Sequence, residues 1–140
     1  MVINATKIAI TQKLQELYPN CRVYADNVPQ NFKPPSFFIF VIEQEYNKRI
    51  DNKYNGRISF DVAYFSDKGK HEIKSDCLEV QETLLREFDE VGEFRILNKN
   101  ARITDNVLHI TFNVNYSELK IEEFAKMQGQ TTNTNTKYKE

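Results

Sequence analysis

The sequence predicts an α+β domain: an antiparallel sheet of about four to five strands, built from two long hairpins, with two helices packed on one of its faces. Three observations carry this. The stretch from Pro34 to Phe65 reads as one long β-hairpin, residues 107–116 alternate apolar and polar almost without fault, and two segments carry apolar residues at helical spacing. Neighbouring strands are mostly joined by tight turns, which favours antiparallel pairing, and the apolar stripes of the helices need a sheet to cover them.

Residues 3–18 form the first helical pattern, with Ile3, Ile10, Leu14 and Leu17 on one face and Ile8 and Tyr18 widening it. Lys7, Thr11, Lys13 and Glu16 are left for water. Pro19-Asn20 ends the helix, because a residue before proline is pushed out of the helical region. A short strand, Cys21 to Ala25, uses β-branched Val23 and aromatic Tyr24. Asp26 to Pro35 holds Pro29, Pro34 and Pro35 with Asn27 and Asn31, too many breakers for regular structure. Phe32 stands out in this loop, since a loop aromatic either plugs its own core or docks into a neighbour.

In the hairpin, Phe37, Ile39 and Val41 point one way and Phe38, Phe40 and Ile42 the other, so this arm is expected to be covered on both sides, the second by the loop, the C-terminal tail or another subunit. The returning arm has one dry face, Ile58, Phe60, Val62 and Tyr64, opposite Ser59, Asp61 and Ala63. Asp51-Asn52 gives arms of matched length and is the expected turn, with Asn55-Gly56 as a bulge.

A second helix is expected from about Lys70 to Glu90, where Ile73, Cys77, Val80, Leu84 and Phe88 share a face that Leu78 and Leu85 broaden, with Ser66 or Asp67 as its cap. Phe94 to Thr104 is a further strand, interrupted at Asn98-Lys99-Asn100. Asp105-Asn106 then turns the chain into residues 107–116, with Leu108, Ile110, Phe112, Val114 and Tyr116 on one face and His109, Thr111, Asn113 and Asn115 on the other. Glu118 to Met127 has the spacing of an amphipathic helix. From about residue 128 the chain has too little apolar surface to offset its ordering entropy, so the division is one domain over 1–116 and a polar extension over 117–140.

A chain of 140 residues is long enough for one core. Its formal net charge of −1 gives no general attraction for nucleic acid or an anionic membrane. No apolar run approaches the roughly 18 to 20 residues that span a bilayer, and the N-terminus lacks a signal-peptide core, so the chain is expected to be made and kept in a cytosol. Cys21 and Cys77 lie far apart with no CxxC pairing, which reads as two reduced, packed thiols. Charge is uneven: residues 1–57 carry +3, residues 58–94 carry −6 and residues 95–140 carry +2. The acid concentrates on the second helix, at Glu79, Glu82 and Glu87 among others, where it is either a solvated face or the partner of a basic face on the next subunit.

The chemistry-bearing motifs of enzymes are missing. No Gly-rich phosphate loop, HExxH or GxSxG occurs, and four glycines leave little for a phosphate nest. His71 and His109 have no Cys or Asp pattern of metal-ligand spacing near them. Glu43 and Glu45, two apart on an extended arm, share a face, and Asp61 projects from the return arm; paired carboxylates can do acid-base work, but a charged outer face of a hairpin is the simpler reading. Arg49, Lys53 and Arg57 near the hairpin tip could meet phosphate, with only Tyr46 and Tyr54 available for stacking. The expectation is no catalytic site, no cofactor and no metal.

The run Val23-Tyr24, then Val28-Pro29-Gln30-Asn31-Phe32-Lys33-Pro34-Pro35-Ser36-Phe37-Phe38-Ile39, then Phe60 to Phe65, then Asp105-Asn106-Val107-Leu108-His109 resembles the small tail terminator proteins of phages and phage-like elements of Gram-positive bacteria. The resemblance covers residues 3–116. One departure is Asp105-Asn106, where Asp-Gly would be expected. It implies a structural component of a virion tail, assembled in the host cytoplasm. Such proteins form a ring, typically a hexamer, on the head-proximal end of the tail tube, stop its polymerisation and dock the head connector; in a contractile particle the ring also anchors the last sheath layer. The implied partners are further copies of the chain, the tube protein, the head-tail connector and the sheath, with no membrane and no reading of nucleic-acid sequence, although DNA passes through the ring. Candidate interface residues are Phe32, Pro34 and Pro35 of the loop, Tyr46, Arg49, Tyr54 and Arg57 of the hairpin, and Glu79, Glu82 and Glu87 of the second helix. The alternatives are another neck or head-completion protein of the same particle, and a small enzyme or nucleic-acid binder relying on Glu43, Glu45, Arg49 and Arg57.

Overall fold

Helix α1 (Val2–Leu17) buries Thr6, Ala9, Ile10 and Leu14, the residues that recur at steps of three, one and four on its sheet-facing side. Thr6 is tolerated there because its hydroxyl donates to the Val2 carbonyl at 2.7 Å, four residues back. Ile8, expected to widen this stripe, instead lies on the solvent side and is 57% exposed. The structure, a computed structural model, describes residues 2–25, 28–50 and 52–119.

The remaining elements are β1 (Arg22–Tyr24), β2 (Ser36–Lys48), β3 (Lys53–Phe65), α2 (Ile73–Glu87), β4 (Glu90–Val91), β5 (Phe94–Thr104) and β6 (Val107–Leu119). They form one six-stranded sheet in the order β1-β2-β3-β6-β5-β4. The architecture is α+β with two helices, as expected, but the sheet has six strands and is mixed where four to five antiparallel ones were expected. β1 runs parallel to β2, pairing Arg22 with Ser36 and Tyr24 with Phe38. Parallel neighbours need a crossover. Here the proline-bounded loop supplies it, with Phe32 held against Phe38 and Phe65 at centroid distances of 4.9 Å each. β4 is too short to leave a periodic signal; it pairs with Phe94 and Arg95 around Gly92, whose φ of 59° is one glycine accepts freely.

The long hairpin forms with its turn between Lys48 and Lys53, where Asn52 takes a φ of 62°. The bulge is elsewhere than expected. Asn55 and Gly56 pair regularly with Asn47 and Tyr46, and the extra residue is Ile42, between Val41 and Glu43. Gly56 has a different reason to be glycine. It sits opposite Tyr116 on β6, and a Cβ there would overlap the tyrosine ring. At the second hairpin, Asp105 and Asn106 have φ of 53° and 64° between paired Thr104 and Val107, the two-residue turn that the sequence foretells. Asn98, with φ 57°, marks the expected interruption of β5.

Both helices lie on one face of the sheet. Ile10 and Leu14 of α1 and Cys77, Val80, Leu84 and Phe88 of the second helical stretch join Phe37, Ile39, Phe60, Val62, Leu108, Ile110 and Phe112 in a single apolar core. Leu78 is turned away from it and is 47% exposed, contrary to expectation. Neither Ser66 nor Asp67 caps α2: Glu72 occupies the cap position without a side-chain bond. Ser66 is engaged otherwise, donating to Asp76 at 2.5 Å beside the Tyr64 hydroxyl, which donates to the same oxygen at 2.7 Å. At the other end, the Lys99 ammonium donates to the Leu85 carbonyl at 2.6 Å and pairs with Asp89 at 2.7 Å, satisfying a carbonyl the helix leaves unpaired. The strand β6 extends through Leu119, so a helix cannot begin at Glu118; the rest of the expected helix and the polar extension lie outside the described residues.

Candidate assembly interface

The sheet face turned away from the helices divides into two regions. At the β1 side an aromatic cluster forms because β2 carries apolar residues on both faces: Phe38 is buried and meets Tyr24 at 5.0 Å, Phe32 at 4.9 Å and Phe65 at 5.2 Å. The loop is therefore the cover of this half of β2, and Phe32 packs within its own chain. Pro34 and Pro35 are joined by a cis bond just before β2, and the Pro35 carbonyl accepts from the Arg22 amide at 3.2 Å. Beyond Ile39 the double cover ends. Phe40, Val41 and Ile42 are 42%, 36% and 57% exposed, so the loop covers the second side of this run only as far as Phe38, and of the expected covers the tail lies outside the described residues and another subunit is not present.

The rest of that face is polar and tied across strands. Ser59 donates to Asn113 at 2.7 Å, Ser117 to Asn55 at 3.1 Å, and His109 lies 3.1 Å from Asp61. Distal to Ile58, residues 43–48 of β2, 53–57 of β3 and 115–119 of β6 form a three-stranded arm, and none of its described side chains belongs to the buried core. Its two faces differ. Tyr46 and Tyr54 stack at 4.9 Å on the helix side, where Gln44 donates to the Tyr116 hydroxyl at 3.0 Å. On the other side Arg57 is bonded to Glu45, and these two with Asn47, Arg49, Asn55, Asn115 and Ser117 border an open groove of about 430 Å³.

Tyr46, Arg49, Tyr54 and Arg57 thus come together on one arm. Phe32, Pro34 and Pro35 lie at the opposite end of β2, beside Phe38 and the end of β3 at Phe65. Glu79, Glu82 and Glu87 stand apart on the exposed side of α2, where Glu82 meets Arg86 at 3.4 Å across one helical turn. Glu45 is taken up by Arg57 and Asp61 by His109, so the acidic residues of the hairpin do not converge on a common point, and no cluster of metal-ligating groups occurs among the described residues. The buried groups with displaced acidities lie in the core: burial and the neighbouring Asp76 push the Tyr64 phenol up, and burial raises both cysteine thiols. These keep the groups neutral, a role in packing. No helix among the described residues is long and apolar enough to cross a membrane.

Phe40, Val41 and Ile42 are not among the candidate interface residues read from the sequence, although the second apolar side of this run is expected there to meet the loop, the tail or another subunit. The available signal was length: a strand ending at Ala25 is too short to flank all of β2, so most of that edge had to be open.

A family model described as phage tail terminator protein matches residues 6–126. The chain belongs to that family. It is therefore a structural component of a phage tail, working in contact with other tail components. The match overlaps the resemblance carried by the loop, hairpin and turn residues over residues 6–116 and runs on to residue 126. No curated protein matches the chain. A solved structure is similar over 88% of this chain and 96% of its own, at 13% identity and a TM-score of 0.39.

Proposed function

We propose that this terminator assembles as a hexameric ring at the head-proximal end of the tail tube, ends tube polymerisation there and presents the docking face for the head connector. In a contractile particle the same ring would hold the last sheath layer. The observation that supports a role in assembly is the arm: three paired strands carry polar and aromatic side chains out beyond the core, and β2 leaves apolar residues on the surface at its base. Monomeric proteins seldom leave such a combination uncovered, since open strands invite pairing with other chains.

Light scattering of the full chain, alone and with purified tube protein, tests the ring: a discrete species near six subunits is the expected result, and a strict monomer under both conditions refutes it. Deletion separates the terminator role from that of another neck or head-completion protein. Loss of a terminator gives tubes of uncontrolled length, whereas loss of a head-completion protein leaves tails of normal length unattached.

A further inference from the structure

Two edges of the sheet are open, and they are complementary. On one rim, β1 pairs with β2 only from Ser36 to Phe38, and no described strand pairs with β2 from Ile39 to Lys48 on that side. On the other rim, β4 covers only Phe94 and Arg95, and the Asp89 carbonyl takes the Ile96 amide at 2.9 Å; no described strand pairs with β5 beyond it, to Thr104. The open part of β2 carries Glu43 after its three exposed apolar residues and the open part of β5 carries Arg102, while Glu45 and Lys99 are held within the chain by Arg57 and Asp89.

Strand sense completes the case. β2, β3, β6 and β5 are each antiparallel to the next, so β2 and β5 run in opposite directions. A rotation about an axis roughly along the strands leaves their directions unchanged. It therefore brings β5 of one copy beside β2 of the next in antiparallel sense, a head-to-tail contact that closes when the rotation divides a full turn. The stagger between the two open stretches is what strand tilt supplies in a closed sheet.

We infer that the open edge of β2, from Ile39 to Glu45, pairs with the open edge of β5 in a second copy of this chain, so that the subunits of the ring share one continuous sheet. This rests on the ring reading above and specifies its contact. The helices of every copy then lie on one side of the shared sheet, and the face bearing Ser59, Asn113 and Asn55 lies on the other.

Cysteine scanning tests the contact. One cysteine replaces Phe40, Ile42 or Gln44 and a second replaces Asn100, Arg102 or Thr104, in the full chain under mild oxidation, with the wild type and the single replacements as controls. At least one combination is expected to give a ladder of covalently linked copies that the controls lack. A species near six subunits with no ladder in any combination overturns the edge pairing while leaving the ring intact; a chain that stays monomeric throughout overturns both. Dimers from the Phe40→Cys or Ile42→Cys replacement alone would show β2 meeting itself and would overturn the assignment to β5. Independently, Ile42→Lys is expected to abolish assembly with the thermal midpoint of the isolated chain unchanged, and undiminished assembly of that variant counts against the proposal.

Discussion

Replacing Gly56 by alanine should destabilise the protein, although alanine ordinarily stabilises a strand interior relative to glycine. The expected gain from reduced backbone freedom is about 0.5–1 kcal/mol. Against it stands the Tyr116 ring, which occupies the space a Cβ would take and is itself fixed by the Gln44 amide at 3.0 Å and by Tyr46 at a centroid distance of 6.5 Å. Forcing an extra carbon into filled space costs roughly 1–3 kcal/mol. Displacing the ring also gives up the Gln44 bond, worth about 0.5 kcal/mol at an exposed site. The steric term wins, leaving a net loss of about 1–2 kcal/mol, or a fall in thermal midpoint of roughly 3–8 °C. Urea denaturation of Gly56→Ala, Tyr116→Ser and the double variant measures it. The double variant should be more stable than the sum of the singles implies, by about 1 kcal/mol, because removing the ring frees the space. A Gly56→Ala protein as stable as wild type, or additive singles, would refute the reasoning.

Three further outcomes are expected. Tyr64 is neutral in the folded chain where the unfolded chain would ionise it, so its contribution is whole below about pH 10 and is lost as pH rises above that value; denaturation midpoints between pH 8 and 11 should fall less steeply for Tyr64→Phe than for wild type. Phe38→Ala empties the centre of the aromatic cluster and should cost roughly 3–5 kcal/mol, whereas Phe32→Ala should cost less and speed proteolytic cleavage within residues 28–35, as followed by mass spectrometry. Asn106, at positive φ, should accept glycine with no loss of stability, but Asn106→Val should lower it by about 1–2 kcal/mol in thermal melts.

The elements most legible in the sequence are those whose register is set by chemistry at both ends. From Leu108 to Tyr116 β6 alternates without exception, and it is preceded by two residues suited to positive φ, so its faces and its turn follow together. α2 is legible for a similar reason, its stripe from Ile73 to Phe88 being uninterrupted. What stayed hidden has particular causes. The parallel placement of β1 depends on where a loop docks, and Phe32 could be read as a plug or as a docking residue until Phe38 and Phe65 were seen beneath it. The bulge at Ile42 falls among apolar residues on both faces, where a slip of one position leaves no mark on the pattern. Ser66 looked like a cap because its hydroxyl suits that task; Asp76, one turn into the helix, claimed it first. Of the proposed contact residues, the sequence identified the arm and its tip, and overlooked the open edge at its base, because an edge is a property of neighbours that the strand itself does not encode.

Ile42 has one last implication. Ahead of it the odd-numbered residues of β2 point toward the helices, and after it the even-numbered ones do, so this single unmatched position inverts the parity of the strand. Deleting it would leave Val41 opposite Phe60 and Glu43 opposite Ser59, with every side chain on its present face, whereas losing a matched residue such as Gln44 would swing Glu45 across to the tyrosine side and Tyr46 away from Gly56, without altering any other side chain's identity. The distal arm should thus withstand many substitutions, and the loss of Ile42 itself, yet fail on the loss of one matched residue, a vulnerability to frame and not to composition.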